Sequence, residues 1–402
     1  MIEALLAAAA IFAQDAEGAP VEAEPAAVET ETPTAEAEGF TIASEPPWLS
    51  AFRQQLLVVA DHPRSVGLAV AIIDNGEVVL THVSGETARG SGEPITEDTL
   101  FRAASVTKTF TGTLLAMLEA DGTIELDLPA PREIIDLQGP RQPTWRDLVS
   151  HRTGLPPNAY DNLIEAGRPV KTVREQLADV SLICGLGDCY TYQNVAFAAV
   201  EDLVVQATGR PFEDVAAERL LEPFGLTGAG FGAGHLEAAP SWARPHIGRF
   251  GRLGAAGSRY DSMPSAASLS VSLNDMIAWA SALLDTENGI DPAVRQAAFS
   301  PYTETLRETR SLRRINRVRE SWYGLGWRVY DWAGETTLIA HGGALAGYGS
   351  QIVLDPETGF AFVALWNTDL GLTRMLWPTA VELRYGTGDA PFIQDTLARM
   401  RG

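Results

Sequence analysis

Ser105 and Lys108 stand three residues apart in a chain that otherwise avoids lysine, since only Lys108 and Lys171 are lysines among its 30 basic residues. Arginine stays protonated in proteins, whereas lysine can give up its proton when its surroundings disfavour charge. A hydroxyl and an amine at this spacing share a helix face, so the amine can serve the hydroxyl as a base and turn it into a nucleophile. At the start of a helix the pair would also feel the partial positive charge of the amide groups there, which favours an oxyanion near the Ser105 N–H. S-x-x-K alone is commonplace, so the reading depends on what else could converge on it.

Two further clusters carry usable groups. In Tyr192-Gln193-Asn194, an extended backbone would point the first and third side chains the same way. The phenol can relay a proton, and the amide can hold a substrate carbonyl or the lysine. Tyr190 competes for any role given to Tyr192. In His341-Gly342-Gly343-Ala344, at the end of a β-rich run, two glycines would let a ligand backbone approach a strand edge. The Ala344 N–H could supply a second oxyanion donor, and His341 could hold a carboxylate or pass a proton.

The elements that must position these groups follow from periodicity. Pro47 to Ala60 is predicted helical from the spacing of Trp48, Phe52, Leu56 and Leu57. Val66–Ile73 and Val78–Val83 flank Asp74-Asn75-Gly76 and read as a hairpin. The Ser105 helix carries Phe110, Leu114, Met117 and Leu118 and ends at Asp121-Gly122. Residues 126–269 read as mostly helical, clearest at Thr172–Val180, Asn194–Thr208 and Pro211–Leu221, with Asn274–Leu284 as another helix. Strands return at Gly324–Tyr330, Thr336–Ala340, Gln351–Leu354 and Phe360–Trp366, with a turn at 355–359 and a closing helix over Thr373–Tyr385. The expected fold is α+β: an antiparallel sheet flanked by helices, its sheet subdomain drawn from about 47–125 and 270–395, with a helical insertion over about 126–269 and a ligand cleft between them.

Composition bounds the function. Hydrophobic residues make up 46% of the 402, and the formal net charge is −22, which argues against a nucleic-acid partner. Residues 14–46 hold nine acids and no base and read as a disordered Ala/Pro/Glu tether. Residues 1–13, with the apolar run Ala4–Ala13, read as a secretion signal, although the basic start usual for one is missing; the other reading is a disordered apolar tail. The expected location is accordingly periplasmic or secreted, and cytoplasmic if the run is no signal. No segment is long enough to be transmembrane. Cys184 and Cys189 either close a small disulfide loop in an oxidising compartment or stand as free thiols in a reducing one. Nothing has metal-ligand spacing, there is no nucleotide-binding glycine pattern, and no cofactor is implied. Six arginines between Arg307 and Arg319 read as a solvated segment paired with Glu304, Glu308 and Glu320, or as a patch for an anionic polymer or lipid.

Ser105-x-x-Lys108, Tyr192-x-Asn194 and His341-Gly342-Gly343, in that order and at these separations, resemble the serine β-lactamase and penicillin-binding superfamily. They are most similar to its branch of class C β-lactamases, D-stereospecific peptidases and related esterases. The stretch from Trp145 to Pro156, Gly209-Arg210-Pro211-Phe212, Glu222 to Leu226, Ser272 to Met276 and Gly324-Leu325-Gly326-Trp327 fit the same branch, and the resemblance spans about residues 47–385. It implies a β-lactamase/transpeptidase-like fold and a serine hydrolase that passes through an acyl-enzyme. Ser105 would be the nucleophile, with Lys108 and Tyr192 sharing acid and base work. Asn194 would orient substrate and lysine, and the N–H groups of Ser105 and Ala344 would form the oxyanion hole. Typical class C β-lactamases carry Lys-Thr-Gly where this chain has His341-Gly342-Gly343. That departure counts against efficient β-lactam turnover; the expected substrate is an amide or ester, as a D-amino-acid peptide, a small ester or a β-lactam, cell-wall-derived peptides included. The competing expectation is a non-catalytic binding or scaffolding protein on the same fold.

Overall fold

A computed structural model describes residues 45–306, 315, 317–386 and 390–401. The expected signal and nearly all of the tether therefore lie outside the described residues, as do Arg307, Arg310, Arg313 and Arg314 of the arginine run. Arg317 is described and forms an ion pair with Glu382.

The centre is an eight-stranded antiparallel sheet. Its strands are β1 (Gly67–Asp74), β2 (Glu77–Gly85), β3 (Thr303–Glu304), β4 (Val318–Tyr323), β5 (Arg328–Trp332), β6 (Thr336–Leu345), β7 (Tyr348–Asp355) and β8 (Phe360–Trp366), in the spatial order β2-β1-β8-β7-β6-β5-β4-β3. The N-terminal hairpin thus pairs with the last strand, Leu68 opposite Trp366 and Ile73 opposite Ala361. Every residue of β1 is buried because both faces of the sheet are covered. Leu68, Val70 and Ile72 face helices α1 (Pro47–Ala60) and Leu376–Tyr385, while Ala69, Ala71 and Ile73 face the core that holds α2 (Thr107–Ala120) and α3 (Leu273–Leu284). Alternation along β8 repeats this, Phe362 and Ala364 to one side, Val363 and Leu365 to the other.

Several boundaries differ from the periodic reading. The run Gly324–Tyr330 is not one strand: β4 ends at Tyr323, a tight turn occupies 324–327, and β5 starts at Arg328. The reason is α2. A side chain at Gly326, whose φ is +71°, would overlap the Lys108 carbonyl, and one at Gly112 would overlap that of Leu325. Trp327 Nε1 also donates to Thr113 Oγ1 at 3.1 Å. The Gly-Leu-Gly-Trp turn therefore clamps the helix that carries Lys108. The helix expected over Asn194–Thr208 is broken after Phe197, the one expected over Pro211–Leu221 widens to a π-helical turn at Ala217–Leu221, and the helix Phe392–Arg401 was not expected. The short strands Phe101–Arg102, Gly230–Phe231 and Leu269–Val271 form a separate three-stranded sheet; two or three residues cannot establish a period.

Cys184 and Cys189 are joined, which decides between the two thiol readings. The closed loop is laced to the loop before it: Ile183 N donates to the Gly154 carbonyl, Gly187 N to that of Arg152 and Thr191 N to that of His151, each at 2.8 Å. By the chain-entropy relation a crosslink this short stabilises the fold by about 2 kcal/mol. Replacing both cysteines by alanine should lower unfolding stability in urea by about that amount. An unchanged unfolding midpoint would show that the neighbouring backbone bonds hold the loop alone.

Candidate active site

Ser105 sits in a single 3₁₀ turn, Ala104–Val106, directly before α2 rather than within it. Ala104 has a φ of +48°, a left-handed conformation that costs a non-glycine residue about 1–2 kcal/mol. The surroundings impose it. Ala103 N donates to the Leu269 carbonyl at 2.8 Å, and the Ala103 carbonyl accepts from Ser350 Oγ at 2.5 Å. A side chain at Gly343 would overlap that same carbonyl and Ser350 Oγ. Gly343 was expected to make room for a ligand; the structure shows that its missing side chain lets β6 press against the Ser105 turn. Gly342 and Ala344 are the exposed residues of this stretch. Since β5 pairs with β6 only as far as Arg328 opposite Ala340, residues 341–345 have no strand partner on that side.

Lys108 is completely buried. Its Nζ donates to Asn194 Oδ1 and to the Ala266 carbonyl, both at 2.8 Å, and lies 4.9 Å from the Tyr192 ring centroid and 5.2 Å from that of Phe197. A neutral amine has two N–H donors, both used in these bonds, which leaves its lone pair to accept a proton. Thr111 Oγ1 donates to the Ser265 carbonyl at 2.6 Å, so successive turns of α2 grip the segment that supplies the Ala266 carbonyl. Behind it, burial pushes the Glu201 carboxyl up to about 7 while it accepts from Ser265 Oγ at 2.6 Å. Asn194 is fixed from its other end, its Nδ2 donating to Asp161 Oδ2 at 2.7 Å. Gln193 is extended, at φ −146° and ψ 109°, as the tripeptide reading required.

Ser105 and Tyr192 line two adjoining cavities of about 560 and 570 Å³, with Asn158 and Ala344 also on both walls. Asn194 lines the second, while His341 and Gly343 line the first. Of the two competing tyrosines, Tyr190 borders only the first cavity, against Tyr323 and Arg328, whereas Tyr192 lines both cavities and has the lysine beside its ring. The Tyr192 hydroxyl has no hydrogen-bond partner within the protein among the described residues.

His341 differs from the expectation of a partly cationic carboxylate holder. Desolvation, then the charges of Arg328 and Lys108, hold its pKa well below the usual range, so the ring is neutral near pH 7. Its Nδ1 lies 2.9 Å from the Gly342 carbonyl and can only donate there, so Nε2 accepts from the Tyr323 hydroxyl, also at 2.9 Å. The charge on this wall comes from Arg328, whose guanidinium lies 5.5 to 5.9 Å from the ring centroids of Tyr323, Tyr190 and Tyr192.

His151, Asp161, Tyr260, Arg328 and the Ala266 carbonyl were given no role by the sequence reasoning. Only His151 had a signal, lying in the stretch from Trp145 to Pro156. That stretch is a scaffold: Thr144 caps the helix Trp145–Val149 reciprocally with Asp147, and Asp147 also pairs with Arg152 at 2.9 Å and Arg141 at 2.6 Å. The result holds His151 at φ +57° with its ring centroid 4.3 Å from that of Tyr192, its Nδ1 accepting from the Gln193 N–H at 3.2 Å. Desolvation, then Lys108 and Arg328, keep this ring neutral too.

A family model described as Beta-lactamase matches residues 54–383, and the chain belongs to that family. It is 26% identical to a D-aminopeptidase of Brucella anthropi over 80% of this chain and 60% of that protein. It is also 26% identical to penicillin-binding protein 4 of Amycolatopsis lactamdurans over 75% of this chain and 80% of that one. The chain thus spans about 60% of the aminopeptidase's length. The fold matches that of the octameric penicillin-binding protein homologue from Pyrococcus abyssi, with a TM-score of 0.75 at 19% identity over 86% of this chain and 80% of that one.

The two neutral histidines give the fold a pH dependence of definite sign. Unfolded histidine takes up a proton near 6.5, and these rings do not while folded. Acidification below about 6.5 therefore favours the unfolded chain, by up to about 1.4 kcal/mol per pH unit for each ring. Denaturant unfolding of wild type and His341→Gln at pH 7.5 and 5.5 should show a smaller acid loss in the variant. Equal losses would mean that the His341 ring takes up its proton in the folded protein.

Proposed function

We propose that the protein is a serine hydrolase that cleaves an amide or ester bond through an acyl-enzyme on Ser105. One observation carries the reading: a lysine with no exposed surface, no direct carboxylate partner among the described residues and two hydrogen bonds, one helical turn from a serine on a cavity wall. Burying an amine costs several kcal/mol when no opposite charge meets it, and such groups collect at functional sites. Relatives named D-aminopeptidase and penicillin-binding protein support an amide substrate, with D-amino-acid peptides, small esters and cell-wall peptides as the classes to test.

In this reading Ser105 Oγ attacks the carbonyl carbon while its proton passes to the Lys108 amine, which reprotonates Tyr192 as the phenol gives up its own proton. The N–H groups of Ser105 and Ala344 stabilise the oxyanion. Tyr192 returns the proton to the leaving nitrogen or oxygen as the bond to it breaks, and water then hydrolyses the Ser105 ester. Asn194 holds the lysine and the substrate, while His341 acts through its neutral ring, with the Tyr323 hydroxyl fixing its orientation. A neutral His341 offers a β-lactam carboxylate no charge, which counts against efficient β-lactam turnover. An exported location fits a disulfide-bonded chain.

Intact mass spectrometry after a fluorophosphonate probe should show one adduct that Ser105→Ala abolishes. Lys108→Ala should lower kcat on p-nitrophenyl acetate by about two to four orders of magnitude while retaining the circular dichroism spectrum. Labelling that persists in Ser105→Ala would refute the assignment.

A further inference from the structure

The two cavities that meet at Ser105 have opposite charge. Among the described residues, the first is lined by Arg328 and Arg374 and by no acid, and the second by Asp161, Glu165 and Asp369 and by no lysine, arginine or histidine. The acidic side is more than a cluster. Asp161 is only 9% exposed, its Oδ2 accepts from Asn194 Nδ2 at 2.7 Å and from the Tyr260 hydroxyl at 3.3 Å, and its Oδ1 is buried with no partner. The single Tyr260 proton is shared with Glu165 Oε1 at 3.2 Å, joining the buried carboxylate to an exposed one. Asp369 is occupied by the N–H groups of Gly248 and Gly347, at 2.6 and 2.8 Å, and contributes charge rather than a free oxygen.

We propose that the preferred substrate is a short peptide with both ends free, its ammonium in the cavity of Asp161 and Glu165 and its carboxylate in the cavity of Arg328 and Arg374, so that the bond between lies over Ser105. The inference rests on the acyl-enzyme reading above and narrows it. In a free dipeptide the ammonium belongs to the acyl half and the carboxylate to the leaving half, so charge alone sets the direction of binding. Ser105 Oγ bonds to the carbonyl carbon and the C–N bond breaks. The serine proton leaves with the departing amine, and the released amino acid exits past Arg328. The acyl half stays as an ester with its ammonium beside Asp161, until water supplies OH to the carbonyl carbon and a proton back to Oγ.

The physical reason is complementarity at low solvent exposure. Desolvation raises the Asp161 pKa, and the nearest opposing charge, Lys108, acts from behind Asn194. A substrate ammonium would supply the cation that the buried carboxylate lacks. An N-acylated peptide, a β-lactam with an acylated amine or an ester fills the same space and leaves that carboxylate uncompensated.

The test compares kcat/KM at pH 7 for alanyl-alanine of D and of L configuration with the N-acetyl and C-terminal amide derivative of each. Removing either terminal charge should reduce kcat/KM by about tenfold or more. Glu165 and Arg374 are exposed, so Glu165→Gln and Arg374→Gln should fold. The first should shrink the preference for the free over the N-acetyl dipeptide and leave the preference over the amide intact. The second should do the reverse. N-acetyl and amide derivatives cleaved as fast as the free dipeptides, or preferences unmoved by both variants, would overturn the proposal while probe labelling of Ser105 keeps the hydrolase standing. No labelling and no turnover of any ester or peptide would overturn the hydrolase reading, and this proposal with it.

Discussion

The buried amine of Lys108 sets the terms for everything around it. A charge or potential charge with no exposed surface must be met by polar groups at close range. Here they come from two elements far apart in sequence, the amide of Asn194 and the carbonyl of Ala266. Each has its own support, Asn194 through Asp161 and Ala266 through the bonds from α2 to its neighbour Ser265. The amine therefore does more than occupy the helix after Ser105. It ties that helix to the two segments that complete the cavity wall, and loosening either would leave the lysine unmet.

Backbone contact does the same on the serine side. The left-handed Ala104 places Ser105 in a turn gripped by Leu269, Ser350 and the bare Cα of Gly343. On the far face of α2, Gly112 and Gly326 allow the Gly-Leu-Gly-Trp turn into contact with the helix backbone. Close approach through glycine leaves little room for rotation, since neither side can slide without collision. The separation of Ser105 from Lys108 is therefore fixed by packing on both sides of α2, outside the reacting groups themselves.

How much of this was legible follows from the range of the interactions. α1 could be read because its buried residues recur at helical spacing, and the hairpin β1–β2 and β8 because they are short β-rich runs bounded by turn residues, while the disulfide spacing left only two outcomes. The turn between β4 and β5 could not, because Gly326 answers to the Lys108 carbonyl, more than 200 residues earlier, which no local pattern records. The same holds within the site. Ser105, Lys108, Tyr192, Asn194 and His341 stood out through side-chain chemistry at short spacing. Asp161 had no spacing to anything, because its partner Asn194 comes from a separate segment. The protonation of His341 was unreadable for a related reason: the residue type leaves it near its midpoint at neutral pH, and only burial beside Arg328 and Lys108 decides it.

That decision changes how the wall of β6 works. A lysine at position 341 that kept its proton would bring another positive charge toward Lys108 and Arg328, inside a region already dry enough to hold two histidines neutral. Like charges at such range in low dielectric oppose each other by several kcal/mol. The chain avoids this with an imidazole that spends one nitrogen on its own backbone and the other on Tyr323, and it carries the positive charge on Arg328, against three tyrosine rings. The charge thus lies on the side wall of the first cavity, on β5, and leaves the exposed face of Gly342 and Ala344 neutral. A wall of that kind can accept a substrate backbone without demanding an anion directly beside the scissile bond, and it moves recognition of charge outward to the two cavity ends.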